Sequence, residues 1–327
     1  MKVVDVWKGV GTPKVRKYPL TAECTNPELV IGFELETESC IKLNARGYEE
    51  LVNPCNFTVH TDGSLRGLSY EFISRPMRSD NALAALKDFF LLTQFTEENY
   101  SDRCSVHVHV NCTDITLEEV SSVALLYTVV EELLFEFVGG SRDTNIYCIP
   151  WNQCRAHYEL VSNFLSDPSH VLRGWNKYTA LNLIPLCTLG TVEFRQMHGT
   201  ADINKLTTWV NIIGALFKYA KAVKLKDLIG SIKTLNTTSH YEMFFNEVLG
   251  GQLPYNEVYR QKLEEGVVLA KYSLVNYSEN KRDKKSKEDL GDTRSNQSIY
   301  DELTAGLFPA AQNVGDIRIL YNDDTVL

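Results

Sequence analysis

Residues 30–38, VIGFELETE, alternate without a break, with Ile31, Phe33 and Leu35 on one side and Glu34, Glu36 and Glu38 on the other. Side chains of an extended chain point alternately to two faces, so this period of two predicts a strand with one buried face. The alternation recurs in CSVHVHVNC, residues 104–112, where Val106, Val108 and Val110 oppose His107, His109 and Asn111. GLSYEFISRP, residues 67–76, reads as a strand stopping at Pro76, with Ser69, Glu71 and Arg75 on one side and Leu68, Tyr70 and Phe72 on the other. Residues 178–186 and 190–197 predict a hairpin turning at 187–190, which sets Glu193 and Arg195 opposite Val192 and Phe194.

Helices are expected in the intervals, over residues 81–93, 117–138, 205–224 and 256–271. The second has clear ends: Thr116 precedes it, Glu118 and Glu119 fall in its first turn, and Gly139 and Gly140 stop it. Strands with helices between them give an α+β layer structure, an antiparallel sheet with helices on one face. Residues 279–296 are dense in charge and poor in apolar side chains, which predicts a flexible linker or loop. Residues 297–327 regain apolar positions and are expected to pack back on the body. The expected organisation is an N-terminal extension over 1–27, a main domain over 28–278, that linker and that tail.

Composition narrows the classes. With 327 residues, 44% of them hydrophobic, the chain can bury a large core without a partner. A formal net charge of -9 argues against binding a nucleic-acid backbone, which calls for a basic patch. No apolar run reaches the roughly 18–20 residues that span a bilayer, and the first 20 residues lack a signal peptide's apolar centre, so a cytoplasmic protein is expected. Eight cysteines stand without CxxC pairs or regular spacing, which predicts reduced thiols rather than a zinc module or a disulfide framework.

The side of each predicted strand that faces away from the apolar residues carries Glu34, Glu36, Glu71, His107, His109, Glu193 and Arg195. Clustered carboxylates repel and raise one another's pKa. Divalent cations remove that repulsion, Mg²⁺ and Mn²⁺ favouring carboxylate oxygen, with a histidine nitrogen acceptable to Mn²⁺. Each piece alone has a plainer reading. ExE is commonly the wet side of a strand, HxH within ~7 Å would suit zinc equally, and ExR is often an ion pair. Asp62 in HTDGSLRG fits a turn as well as a site, and Arg142 fits a surface position as well as a phosphate or carboxylate contact. His60, His157, His170, His198 and His240 lack such spacing and read as ordinary residues.

The order GFELE (32–36), TDGS with YEFISRP (61–76), CSVHVHVN (104–111), SRDTNIYC (141–148), KYTALNL (177–183) and GTVEFRQMHGT (190–200) resembles the amidoligase family of the carboxylate–amine ligase branch. That branch is similar to glutamine synthetase and glutamate–cysteine ligase, and the resemblance covers about residues 28–225. It implies a curved antiparallel sheet with an open active-site face, ATP and two Mg²⁺ or Mn²⁺ ions, and amide formation through an acyl phosphate. Carried over by residue, Glu34 and Glu36 would each ligate one metal. Glu71 would join Glu36, with Asp62 as helper, and His107 and Glu193 would hold the nucleotide-side metal. His109 would support that metal or contact a ligand, Arg195 would stabilise the transferred phosphoryl group, and Arg142 would reach a phosphate or carboxylate. The implied partner carries an amine and a carboxylate, whether amino acid, peptide or modified base, and a homo-oligomer is compatible with the branch. A metal-dependent hydrolase, a guanidino-kinase-like phosphotransferase and a non-catalytic binding protein remain the alternatives.

Overall fold

The computed structural model describes residues 1–40, 42–139, 142–154 and 163–274. The expected linker over 279–296, the tail over 297–327 and His157 lie outside the described residues. Among the described residues seven strands form one sheet: β1 (Val30–Thr37), β2 (Phe57–His60), β3 (Tyr70–Ser74), β4 (Met77–Arg78), β5 (Ser105–Asn111), β6 (Leu181–Asn182) and β7 (Thr191–His198). Their order is β2-β3-β1-β5-β7-β6, with β4 also paired to β1, and every pairing is antiparallel. Among the described residues the sheet does not close.

The described helices are α1 (Val3–Val6), α2 (Ala45–Val52), α3 (Ser79–Thr93), α4 (Leu117–Val138), α5 (Pro168–Arg173), α6 (Ile203–Ala222), α7 (Leu225–Thr234), α8 (Thr238–Leu249) and α9 (Glu257–Ser273). The apolar faces of the strands meet them. Phe72 of β3 packs edge-on against Phe89 of α3, and Phe194 of β7 touches Tyr127 of α4 and Phe217 of α6. Ile31, Phe33, Leu35, Val106, Val108, Val110 and Val192 complete this buried layer. A period-two pattern thus becomes a half-buried sheet, because each apolar side chain removed from water contributes about 1.5–3 kcal/mol.

Helix α4 starts on a reciprocal cap: Glu119 N donates to Thr116 Oγ1, and Thr116 N donates to Glu119 Oε2 at 2.8 Å. It is apolar nearly all round because α9 covers the side turned from the sheet. The two helices touch through backbone at Gly266, where an added Cβ would lie 2.0 Å from the Val129 carbonyl oxygen. The N-terminal 27 residues are fastened along the body. Val3 N donates to Ile115 O, Arg16 N to Pro76 O, Tyr18 Oη to Asp88, and Thr25 N to Asn211 Oδ1.

Two predicted strands differ from those observed. The one over 67–76 shrinks to Tyr70–Ser74, since Gly67 adopts a positive φ of 66° and Leu68 is 59% exposed rather than sharing a face with Phe72. The first arm of the hairpin contracts to Leu181–Asn182, because Pro185 lies in a 3₁₀ turn over Ile184–Cys187 and can donate no ladder hydrogen bond. The connection to β7 therefore runs from 183 to 190 and ends on Gly190, whose φ is +70° and whose added Cβ would meet Val10 Cγ1 at 2.5 Å. All eight cysteines are free, five of them buried.

Candidate metal centre on the sheet

The polar side chains come together because the strands that carry them are neighbours in the sheet. Glu34 of β1 stands opposite His107 of β5, His109 of β5 opposite Glu193 of β7, and Glu193 opposite Asn182 of β6. On the other flank of β1, Glu36 stands opposite Glu71 of β3. Like charges directly opposite destabilise a sheet, so this last pair calls for a compensating charge. A register shift between β5 and β7 falls at His107, opposite Arg195 and Gln196. Bulges of this kind re-aim side chains. Gln196 points into the core, accepting from Tyr127 Oη at 2.9 Å and donating to Glu131 O. Arg195 points to the carboxylates, its Nη1 2.5 Å from Glu193 Oε1.

Two groups of possible ligands result. In each, the ligand atoms lie within 4.8 Å of one another: Glu34, His107 and Glu193 form one, Glu36, Asp62 and Glu71 the other. In the first, His107 Nδ1 lies 3.1 Å from Glu34 Oε2 and 3.3 Å from Glu193 Oε1. Its Nε2 is 2.6 Å from Ser105 Oγ, and Ser105 also donates through N and Oγ to Glu36. One serine therefore ties the two groups. Asn182 Nδ2 donates to Glu193 Oε2 at 2.7 Å. His109 Nδ1 is 3.0 Å from Thr191 Oγ1, while its buried Nε2 is 3.1 Å from Glu34 Oε1 but off the line of a hydrogen bond. In the second group Asp62 accepts from Ser64 N within its own turn, and Arg103 Nη1 braces that turn through Ser64 O.

These side chains are more enclosed than the alternation alone suggests: Glu36, His107 and Glu193 are 5%, 2% and 3% exposed. Burial and fixed neighbours set their charge states. Burial would raise Glu34, but His107 and His109 outweigh it and hold this carboxyl far below the ordinary range. Glu193 is likewise lowered against burial, by His107, His109 and Arg195. His109 is raised, its burial overcome by Glu34 and Glu193. Glu71 differs: burial, then the charges of Glu34, Glu36 and Asp62, push it up to about 8. The first group thus has His109 and Arg195 to balance its carboxylates, while the second, without such a neighbour, favours a proton on Glu71.

That contrast tests whether divalent cations fit. Three carboxylates around one point suit Mg²⁺ or Mn²⁺, which take oxygen ligands, and a cation there would replace the Glu71 proton. A nitrogen between two carboxylates, as at His107 Nδ1, suits Mn²⁺ and is tolerable in a mixed shell. The donor sets fit both ions. Arg142 is tied to β7 at the bulge beside His107. Buried at 3% exposure, it donates from Nε to Gln196 O and from Nη2 to Arg195 O, bracing β7, while Nη1 makes no hydrogen bond with any described residue. Ser105 and Asn182 were absent from the sequence expectation. Ser105 was legible, sharing its face with His107 and His109 at i−2 and i−4, whereas Asn182 needed the β6–β7 register.

The molecule is an α+β protein, one open antiparallel sheet backed by helices, with two carboxylate-rich groups on its other face. The resemblance read from the six motifs holds: the sequence pattern of a family described as "Putative amidoligase enzyme" matches residues 58–217. That span includes Asp62, Glu71, His107, His109, Glu193 and Arg195, and it begins after β1, which carries Glu34 and Glu36. The match points to ligase-type chemistry and to an enzyme. A solved structure titled "Crystal structure of novel glutamine synthase homolog" is similar at 13% identity and a TM-score of 0.32, covering 84% of this chain and 71% of that chain. No curated protein matches the chain. Among the described residues no helix is long and apolar enough to cross a membrane.

Proposed function

We propose that the protein is an ATP-dependent ligase that joins a carboxylate to an amine. The observation that carries this reading is the gathering of Glu34, His107 and Glu193, and of Glu36, Asp62 and Glu71, on one sheet face in a chain matching an amidoligase family. A carboxylate does not condense with an amine directly, because oxide is too poor a leaving group. Transfer of the γ-phosphoryl group of ATP to the carboxylate oxygen creates an acyl phosphate, and the amine then displaces phosphate. In this reading two Mg²⁺ or Mn²⁺ ions, when bound, supply positive charge against the phosphate oxygens, which is where phosphoryl-transfer catalysis chiefly comes from.

The chain's own residues have distinct tasks. Glu34, His107 and Glu193 would hold one ion, with His109 as support; Glu36 and Glu71 would hold the other, with Asp62 alongside. Arg195 keeps a permanent positive charge beside Glu193 and offers its guanidinium to the transferred phosphoryl group. Ser105 holds Glu36 and His107 at a fixed separation and so ties the two ligand groups together. Burial favours each of these interactions by lowering the local dielectric.

The deciding experiment is a screen of acids and amines with ATP and Mg²⁺, read by mass spectrometry and ADP release. ADP, phosphate and an amide product formed together support the reading. Cleavage without nucleotide would mark a hydrolase, and ADP with a phosphorylated guanidine would mark a kinase; either would displace it.

A further inference from the structure

A cavity of about 210 Å³ opens where the start of β5 meets the end of β7, bounded by Glu97, Tyr100, Asp102, Arg142 and His198 among its lining residues. Three buried polar atoms belonging to these residues make no hydrogen bond with any described residue: Tyr100 Oη, Arg142 Nη1 and His198 Nδ1. A buried donor or acceptor left unmet costs about 1–3 kcal/mol, and more when charged. Three around one cavity mark a place for a polar molecule.

The chemistry of this lining is divided. Arg142 is fixed by its two bonds to the Arg195 and Gln196 carbonyls, so its remaining nitrogen is held in place, and Tyr100 supplies a neutral hydroxyl. Both suit a carboxylate. Glu97 and Asp102 are exposed carboxylates of the lining; Glu97 Oε1 accepts from Thr200 Oγ1 and Ala201 N, which leaves its Oε2 to a ligand. His198 is lowered by burial and then by Lys205 and Arg142, so its ring is neutral and can accept as well as donate. These groups suit an ammonium. Behind the cavity, Gly199 leaves no room for a side chain, an added Cβ meeting Cys104 Cβ and Tyr100 Cδ1 at 2.7 Å each.

The cavity is linked to the second carboxylate group through intermediate residues. His198 pairs with Ser105, whose N and Oγ bind Glu36, and Arg103, within the same turn as Tyr100 and Asp102, braces the Asp62 turn. We propose that this cavity binds an α-amino acid, its carboxylate on Arg142 and Tyr100 and its ammonium toward Asp102, Glu97 and His198. The binding stands on the cavity alone; that the bound amino acid is a substrate rests on the ligase reading.

The test is calorimetric titration of the full-length protein in EDTA, without nucleotide, using L-alanine, acetate, methylammonium and inorganic phosphate as probes. L-alanine is expected to bind roughly tenfold or more tighter than acetate or methylammonium, since each end adds a charged hydrogen bond. Asp102→Asn, at an exposed position, weakens L-alanine by roughly tenfold and leaves acetate unchanged, while Tyr100→Phe weakens both. The proposal is overturned if L-alanine binds no tighter than acetate, if phosphate alone binds, or if Asp102→Asn leaves L-alanine unaffected. Amino-acid binding without ligation of any acid and amine would sink the ligase reading only. Ligation of an amino acid whose KM is unmoved by Asp102→Asn would sink the cavity only.

Discussion

Replacing Glu71 by Gln removes one carboxylate from the trio it forms with Glu36 and Asp62, and the expected effect on stability changes sign with metal. Glu71 is pushed up to about 8 in the fold by burial and its three acidic neighbours, against roughly 4.3 in an unfolded chain. A raised folded pKa gives stability that is complete below the unfolded value and lost as pH rises through the folded one. Without metal, the protein should therefore lose stability from about pH 4.3 to pH 8. Each pH unit in that window is worth at most about 1.4 kcal/mol, and screening of this half-buried group reduces the total at pH 7 to about 1–3 kcal/mol. Glutamine imitates the protonated acid, so in EDTA at pH 7 the variant should melt several degrees above the parent. In Mg²⁺ at about a thousand times the Kd of this trio, the parent gains roughly 4.1 kcal/mol that the variant does not share, binding at Glu34, His107 and Glu193 being common to both, so the order reverses. Differential scanning calorimetry of both proteins, with EDTA and with Mg²⁺ at pH 5, 7 and 9, reads this directly. Equal Mg²⁺ shifts in the two proteins, or a variant less stable in EDTA, would refute the reasoning.

Other expectations follow from single contacts. Ser105→Ala removes the hydroxyl between Glu36 and His107 and should weaken Mn²⁺ binding about 10- to 100-fold with little change of fold, measured by titration and circular dichroism. Arg195→Ala should cut kcat about 10²- to 10³-fold in the ligation assay while the protein still binds metal, and full activity would remove Arg195 from the reaction. Gly266→Ala places a methyl group against the Val129 carbonyl and should destabilise by about 1–3 kcal/mol despite alanine's better helix propensity, with Mn²⁺ affinity unchanged. An unchanged or raised Tm would show that α4 and α9 separate freely.

The parts of this architecture legible in the sequence were those governed by one local rule. The alternation in VIGFELETE and SVHVHVN fixes which side chains leave the core, and Thr116, Glu119 and Gly139 mark the ends of α4 to the residue. The short strand β2 carries only four residues, too few for periodicity to stand out, and β4 only two. Helices α2, α7 and α8 cover the body in pieces of 8 to 12 residues, which their charged faces disguise. Other features depend on tertiary context. Glu131 lies within α4, yet it is fully buried because its carboxylate accepts the Trp151 and Asn152 N–H groups. The pairing of Glu36 with Glu71, and of His109 with Glu193, depends on register that no isolated segment encodes. For Arg142, adjacency to a helix stop suggests a reach toward phosphate or carboxylate; backbone carbonyls of β7 take its Nε and Nη2, and Nη1 makes no hydrogen bond with any described residue. His198, unremarkable by spacing, lines a cavity only because β7 ends beside the turn before β5.

The most direct test is diffraction at the manganese edge from crystals soaked in Mn²⁺ and a non-hydrolysable ATP analogue. Two anomalous peaks are predicted, one among Glu34, His107 and Glu193, the other among Glu36, Asp62 and Glu71, with the analogue's phosphates bridging them. A site without manganese, or metal bound only elsewhere on the surface, would contradict the account.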